Sequence, residues 1–223
     1  MTAGAHPSGL KIDEPQTKGE RTAERILDAA ERLFGERGYE GTSLRDVADA
    51  VGLRIPSLYN HFASKDDLYA AVLDRTIVPV FELLDYAVDT APTGLLDAPG
   101  LAEQIMDLLA DRPHLPPLLL HESLSGGKRL TPLLRERIAP IFEKAHTAAR
   151  ASKDVSHWPD DQIPNLVLAF YHVIVGFETI APLYKATVGV DLTTPEARAR
   201  QTRFVMNLAD SLFPHTTGMP KAR

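Results

Sequence analysis

Apolar residues recur every three or four positions along most of the chain, and this spacing constrains the fold more than any other feature. Within residues 21–38, for example, Ile26, Ala30, Leu33 and Phe34 follow it, and such spacing places side chains on one face of a helix. The later sequence shows no alternating pattern long enough to predict a strand, and Pro and Gly divide it into further helical segments. The sequence therefore predicts an all-α protein.

Capping residues predict four helices near the N-terminus. Ser and Thr side chains accept hydrogen bonds from the first free N–H groups of a helix, and glycine ends a helix in a left-handed conformation. Thr42 or Ser43 therefore begins the second helix, and Gly52 ends it. Pro56 fits the first turn of the third helix, where its missing N–H costs nothing. The predicted helices cover residues 21–38, 43–51, a short third segment from 56, and a fourth segment from 64 through Leu73.

Six further helices and a tail complete the predicted organisation. The helices cover roughly residues 76–90, 98–111, 115–125, 130–151, 161–187 and 195–213. Residues 1–18 are rich in Pro, Gly, Ser, Thr and Lys, a composition that buries too little apolar surface to fold. We therefore expect a disordered tail over residues 1–18, an N-terminal helical domain over 19–68, and a C-terminal helical domain over 69–223.

Composition and charge exclude several classes of protein. The chain has no cysteine, which excludes disulfides and thiolate metal sites. Its net charge of -6 argues against a general binder of polyanions, so any nucleic-acid site has to be local. The longest apolar run begins at Leu166 but meets His172 and Glu178, and it is predicted to fall short of a bilayer span. Since the N-terminus lacks the apolar segment of a signal peptide, we expect a cytoplasmic protein.

The stretch GLRIPSLYNHFASKDDLY, residues 52–69, is polar and follows a glycine that separates two short helices. Two short helices joined by such a turn match the helix-turn-helix, whose second helix enters the major groove of DNA. The side chains predicted to anchor these helices on the first helix are Leu44, Val47, Ala48, Val51, Leu53, Leu58 and Phe62. The side chains left to face outward are Arg45, Arg54, Ile55, Ser57, Tyr59, Asn60 and His61.

Three segments, GERGYEGTS, LRDVADAVGL and PSLYNHFASKDDLY, carry a resemblance to a known family. Residues 20–75 resemble the DNA-binding domain of TetR-family transcriptional regulators, whose common pattern is Ser/Thr-Leu-Tyr-x-His-Phe-x-Ser-Lys-x-x-Leu. The resemblance implies that Arg45 contacts a base or phosphate and that residues 55–57 face the major groove. The full set of residues expected to face DNA is Thr42, Ser43, Arg45, Arg54, Ile55, Pro56, Ser57, Tyr59, Asn60, His61 and Lys65.

Two aspects of this expected interface follow from individual residues. The resemblance implies that Tyr59, His61 and Lys65 contact the DNA backbone, and phosphate contacts of this kind set the position of a protein on DNA. Ile55 stands where the family more often has a polar or basic residue. We therefore expect Ile55 to make an apolar contact with a thymine methyl group.

The remaining two-thirds of the chain carries no comparable motif. The resemblance implies a helical domain that binds an effector and forms a homodimer through its last two helices. Residues 161–187 are apolar on almost every side, so one face should pack within the chain and another against a partner. Two such helices from each chain would form a four-helix interface. The two-fold symmetry of that dimer matches a palindromic operator in double-stranded DNA.

Large or amphipathic side chains on the C-terminal helices are the candidates for an effector pocket. They are Met106, His121, Phe142, Trp158, Tyr171 and Phe177. His121 and Tyr171 are the preferred polar contacts, and ordinary core packing is the alternative for every member of the set. His121 and Glu122 do not predict a metal site, since adjacent residues on a helix point apart and no His-x-x-x-His spacing exists. We expect neither a metal nor a cofactor.

These features together predict a transcriptional repressor that a small, largely hydrophobic effector releases from its operator. The alternatives are an activator of the same family and a helical scaffold without a DNA role. An enzyme is not expected, because residues 125–127 (SGG) lie in no Gly-x-Ser-x-Gly elbow and the chain has no phosphate-binding glycine loop.

Overall fold

The computed structural model describes residues 17–90, 101–151, 159 and 161–212, and these residues form helices and connecting turns without a strand. The helices are α1 (Lys18–Arg37), α2 (Leu44–Val51), α3 (Ile55–Tyr59), α4 (Lys65–Thr90), α5 (Leu101–Asp111), α6 (Leu115–Leu124), α7 (Leu130–Ala151), α8 (Ile163–Val188) and α9 (Pro195–Leu212). The all-α prediction is confirmed. Residues 1–16 of the predicted tail and residues 98–100 of a predicted helix lie outside the described residues.

Helix α1 begins before the predicted position because Thr17 caps it. The Thr17 hydroxyl accepts a hydrogen bond from the Glu20 N–H at 3.1 Å, and the Glu20 carboxylate accepts one from the Thr17 N–H at 2.7 Å. The last two residues of the predicted tail, 17 and 18, therefore belong to this helix and its cap. At the other end Gly38 has φ 70 and ψ 175, a positive φ outside the left-handed helical region in which glycine commonly ends a helix.

Helix α2 follows its predicted cap and packs on α1, while α3 has Pro56 in its first turn, as predicted, and packs on α2. Ser43 caps α2: its hydroxyl accepts a hydrogen bond from the Asp46 N–H at 3.2 Å, and the Asp46 carboxylate accepts one from the Ser43 N–H at 2.8 Å. Gly52 ends α2 with φ 70 and ψ 32, a left-handed conformation that glycine adopts without strain. The predicted apolar anchors lie in the core or against it, with Leu58 fully buried.

Helix α4 is continuous from Lys65 to Thr90, so the fourth predicted segment and the predicted helix over 76–90 form one element. Pro79 lies inside this helix, where it removes one backbone hydrogen bond. Buried side chains on both sides of the proline, Ile77 and Phe81, hold the helix to its neighbours. Because α4 packs against α1, α5 and α7, it crosses the predicted domain boundary at residue 68 and connects both parts of the chain.

Helices α8 and α9 end the described chain and pack on each other. The Gln201 side-chain amide donates to the Val173 carbonyl at 2.9 Å, and Arg198 Nε lies 3.4 Å from Glu178 Oε1. By length and composition alone, Pro164–Val188 is sufficient to cross a membrane, so the prediction that this apolar run falls short of a span is wrong. Core helices of soluble proteins meet the same criterion.

Candidate nucleic-acid interface

A side chain of α1 and two backbone hydrogen bonds hold the helix-turn-helix together. The Arg25 guanidinium donates to the Val51 carbonyl at 2.8 Å and so satisfies a free acceptor at the C-terminus of α2. In the turn, the Leu53 N–H donates to the Ala48 carbonyl at 2.8 Å, and the Ser57 N–H donates to the Arg54 carbonyl at 2.9 Å. The first two bonds fix the end of α2 and the turn, the third begins α3, and the buried Leu58 side chain holds α3 on the core.

Most of the predicted DNA-facing side chains lie at the protein surface. Those that are exposed are Ser43, Arg45, Arg54, Pro56, Tyr59 and Asn60. Those that are half-buried are Ile55, Ser57, His61 and Lys65. Ile55 also packs against the apolar core, so only part of its surface is free for the predicted contact with a thymine methyl group. Most of the exposed side chains carry hydrogen-bond donors. Phosphate oxygens and acceptors on base edges form hydrogen bonds with such groups.

Thr42 departs from the prediction, because its side chain is buried. Its hydroxyl lies 3.0 Å from the carbonyl oxygens of both Leu33 and Gly38 and donates its hydrogen there. The hydroxyl closes the connection between α1 and α2 and is not available to DNA. The choice between Thr42 and Ser43 as the cap of α2 follows from this geometry, since Ser43 is the residue whose hydroxyl accepts from the first turn.

A cluster around the Tyr39 ring joins this surface to the C-terminal helices. This Tyr39 cluster consists of Tyr39, Lys65, Asp66 and Arg129. Lys65 Nζ lies 4.0 Å and Arg129 Cζ 3.3 Å from the ring centroid, and such contacts are favourable because the face of an aromatic ring is electronegative. The Tyr39 hydroxyl donates to Asp66 Oδ1 at 2.7 Å, and Arg129 Nε lies 3.4 Å from the same oxygen.

Hydrogen bonding and burial shift the pKa values of Asp66 and Tyr39 in opposite directions. The hydrogen bond from the Tyr39 hydroxyl, and then that from Arg129, hold the pKa of Asp66 below its usual value, so the carboxylate is ionised at neutral pH. Burial, and then the hydrogen bond to Asp66, raise the pKa of Tyr39, so its hydroxyl remains a donor. The sequence did not predict this cluster, because Arg129 is distant in the chain and no local pattern brings it to Tyr39.

Residues 26–72, from α1 into α4, match the family model described as bacterial regulatory proteins, tetR family. Residues 26–72 are therefore a tetR-family domain. Its predicted helix-turn-helix and the resemblance inferred from the sequence are therefore confirmed.

Two known regulators match a short part of the chain at higher identity. The HTH-type transcriptional repressor ComR of Escherichia coli (strain K12) is 51% identical over 51 residues, which are 23% of this chain and 24% of ComR. The HTH-type transcriptional activator FasR of Mycolicibacterium smegmatis is 36% identical over 75 residues, which are 34% of this chain and 32% of FasR. The chain thus spans about a quarter of the length of ComR and about a third of that of FasR.

The solved structure of SCO4942 from Streptomyces coelicolor resembles a larger part of the chain. It superposes with a TM-score of 0.62 at 24% identity and covers 86% of this chain and 98% of that chain. At this identity the likeness concerns the fold. The C-terminal helices therefore follow the tetR-family domain in an arrangement already seen in a solved structure.

Glu122 forms a buried polar link between the tetR-family domain and the C-terminal helices. Its side chain is 2% exposed. One carboxylate oxygen accepts from the Tyr69 hydroxyl of α4 at 2.7 Å, and the other accepts from the N–H of Leu130 at the start of α7 at 3.0 Å. Burial, and then the hydrogen bond to Glu122, raise the pKa of Tyr69 far above its ordinary value, so the hydroxyl stays protonated. The group therefore fixes α4, α6 and α7 to one another.

The predicted effector contacts have several different environments. Met106 is buried, while Tyr171 and Phe177 are half-buried on α8. His121 packs at the end of α1, since a Cβ atom placed on Gly38 would lie 3.0 Å from its Nδ1. Trp158 lies outside the described residues, as does the side chain of Phe142. In the described part of the chain, no group of three or more His, Cys, Asp or Glu side chains has the arrangement of a metal site.

A charged surface cleft of about 530 Å³ lies beside α1, α2 and the α5–α6 connection. The residues that line it are Arg25, Asp28, Ala29, Glu31, Arg32, Ala50, Val51, Arg75, Asp111, Pro113 and His114. None of the predicted effector contacts is among them, so this cleft does not correspond to the predicted pocket.

Proposed function

We propose that the protein is a dimeric, sequence-specific DNA-binding transcriptional regulator that acts in the cytoplasm. The main observation behind this proposal is that α2 and α3 present a surface rich in hydrogen-bond donors. A buried apolar core holds both helices within the tetR-family domain. In the proposed complex α3 enters the major groove, with Arg45 and Arg54 at its margin. Tyr59, His61 and Lys65 contact phosphates and set the position of α3 in the groove.

The proposed dimer forms through α8 and α9, which expose large apolar side chains to solvent. These side chains are Leu168, Ile180, Leu183, Tyr184, Val188, Phe204 and Met206. The same helices also bury Phe170, Val175, Ala181 and Val205 within the chain. An exposed apolar surface of this kind is typical of an interface with another protein. A second copy of the chain is the partner that the palindromic operator requires, because two-fold symmetry in the protein matches two-fold symmetry in the site.

We further propose that the protein is a repressor, which a small, largely hydrophobic effector releases from DNA. The effector would bind among the C-terminal helices and favour a conformation in which the two copies of α3 no longer match successive major grooves. Such a ligand acts only through its different affinities for the two conformations. An activator of the same domain structure is the second candidate, which the name of the relative FasR favours.

The direct test is selection of DNA from a random pool by the purified protein, followed by affinity measurements. We expect the selected sequences to converge on a palindrome and the bound complex to contain two copies of the chain. The control is a scrambled duplex of the same length and composition. Equal affinity for the selected and scrambled duplexes at moderate salt would contradict the proposal.

Two substitutions on the proposed interface should have different effects on affinity. Lys65→Ala should weaken binding to every sequence alike and reduce the slope of log affinity against log salt concentration by about 1 per subunit, because a phosphate contact releases a counterion. Arg45→Ala should cost about 1–3 kcal/mol on the selected site and less on a scrambled one, if it contacts a base. Fluorescence anisotropy titrations on both duplexes at several salt concentrations distinguish the two patterns.

The control for this pair is Arg137→Ala, which removes one exposed positive charge from α7. It should leave both the affinity and the salt slope close to those of the unchanged protein. A Lys65→Ala protein with an unchanged salt slope would show that Lys65 does not contact a phosphate.

A further inference from the structure

We propose that Arg129, which precedes α7 and lies outside the tetR-family domain, is a positioning residue for DNA binding. It neutralises and restrains the acidic side chains beside Lys65, so that Lys65 can contact a phosphate. The inference rests on the proposed DNA-binding function. In this proposal Arg129 does not contact DNA itself. It affects the DNA affinity through its contacts with Tyr39, Glu40 and Asp66.

The contacts of Arg129 reach three residues of the tetR-family domain. Its guanidinium lies over the Tyr39 ring, 3.3 Å from the centroid. Its Nε lies 3.4 Å from Asp66 Oδ1, and one Nη atom lies 3.6 Å from Glu40 Oε1. A single cation at the start of α7 therefore faces two carboxylates and an aromatic ring that belong to the connection after α1 and to the first turn of α4.

Asp66 is the acidic group that most affects a phosphate at Lys65. It is the next residue in the chain, it lies in the first turn of α4, and its side chain is 75% exposed. The Lys65 ammonium lies on the face of the Tyr39 ring, and the hydroxyl of that ring donates to the Asp66 carboxylate, so the carboxylate is near a phosphate bound to Lys65 and repels it. It also competes with the phosphate for the partial positive charge at the N-terminus of α4.

Arg129 and Tyr39 reduce this competition by holding the same carboxylate oxygen. The Tyr39 hydroxyl donates to Asp66 Oδ1 at 2.7 Å, while Arg129 supplies the neutralising charge. The Lys65 ammonium in turn lies over the face of the Tyr39 ring. Without Arg129, Asp66 loses its cationic partner and becomes free to pair with Lys65, and that pairing withdraws the ammonium from DNA.

The first experiment compares Arg129→Ala with Arg135→Ala in anisotropy titrations on the selected palindrome. Both substitutions remove one positive charge, but Arg135 is an exposed residue further along α7. We expect Arg129→Ala to weaken binding about fivefold at low salt and less at high salt, and Arg135→Ala to change it by less than about twofold. An Arg129→Ala protein that binds as tightly as the unchanged protein would overturn the inference.

The second experiment tests whether the effect acts through Asp66. In an Asp66→Asn background, adding Arg129→Ala should weaken binding by less than about twofold, because the carboxylate to be neutralised is gone. An undiminished loss of about fivefold in that background would overturn the inference. Thermal unfolding followed by circular dichroism verifies that each variant is folded, and Arg129→Gln replaces Arg129→Ala in both experiments if the alanine variant does not fold. Failure of the unchanged protein to select any DNA would instead contradict the proposed function.

Discussion

Leu183→Glu should convert the protein from a dimer to a monomer and lower its affinity for the palindromic site by about 100-fold. Leu183 lies on α8 with 58% of its surface exposed, among the apolar side chains of the proposed interface. A carboxylate placed there loses its hydration when two copies associate, a cost that the leucine does not carry. The monomer then contacts one half-site and loses the gain in affinity that comes from two linked contacts. Sedimentation velocity measures the association state, and anisotropy titration measures the affinity.

Leu124→Glu is the matched control for this substitution. Leu124 is even more exposed, at 78%, but it lies at the end of α6 and not on α8 or α9. The same chemical change there should leave a dimer with unchanged DNA affinity. A Leu183→Glu protein that still sediments as a dimer would show that α8 is not the interface. Dissociation of the Leu124→Glu protein would place the interface at α6.

Glu122→Ala should lower the free energy of unfolding by about 3 kcal/mol. The substitution leaves the Tyr69 hydroxyl and the Leu130 N–H buried without their acceptor. A buried donor without a partner costs about 1–3 kcal/mol, because it has given up its hydrogen bonds to water. The loss also frees α4 from α6 and from the start of α7. Urea denaturation followed by circular dichroism measures the change.

Glu122→Gln distinguishes the hydrogen bonds of Glu122 from its packing. A glutamine has the same shape but presents one oxygen and one NH₂ group, so it can accept from only one of the two donors. We expect a loss smaller than that of the alanine variant but still above about 1 kcal/mol. Glu136→Ala, on the exposed side of α7, should change stability by less than about 0.5 kcal/mol. A Glu122→Gln protein as stable as the unchanged one would contradict the role of the two hydrogen bonds.

Local chemistry explains why most helix boundaries were predictable from the sequence. A cap such as Ser43 or a left-handed glycine such as Gly52 acts on residues within a turn of itself, so its effect is visible in a short window. The start of α1 was missed because the predicted tail was defined by its composition, which hid the cap formed by Thr17 and Glu20. Packing on both sides of Pro79 keeps α4 continuous, which joins the fourth predicted segment to the predicted helix over 76–90.

The candidate DNA-binding surface was predictable for a related reason. The motif around Tyr59 and Lys65 is contiguous, and the apolar anchors between its polar residues indicate which side chains are turned inward. The one exception, Thr42, is buried because its hydroxyl finds acceptors at the end of α1. The burial of Thr42 depends on how the connection between α1 and α2 folds back on α1. The presence of a hydroxyl residue at a cap position does not indicate this.

The amino-acid sequence alone thus predicts the helices, the helix-turn-helix and the apolar character of α8, because each depends on residues close together in the chain. The contacts of Arg129 with Tyr39 and Asp66, and those of Glu122 with Tyr69 and Leu130, depend on the packing of α6 and α7 against α1 and α4. No periodicity or motif marks such pairs, since their members meet only after the helices have assembled. The connection between the tetR-family domain and the C-terminal helices is therefore a property of the tertiary structure.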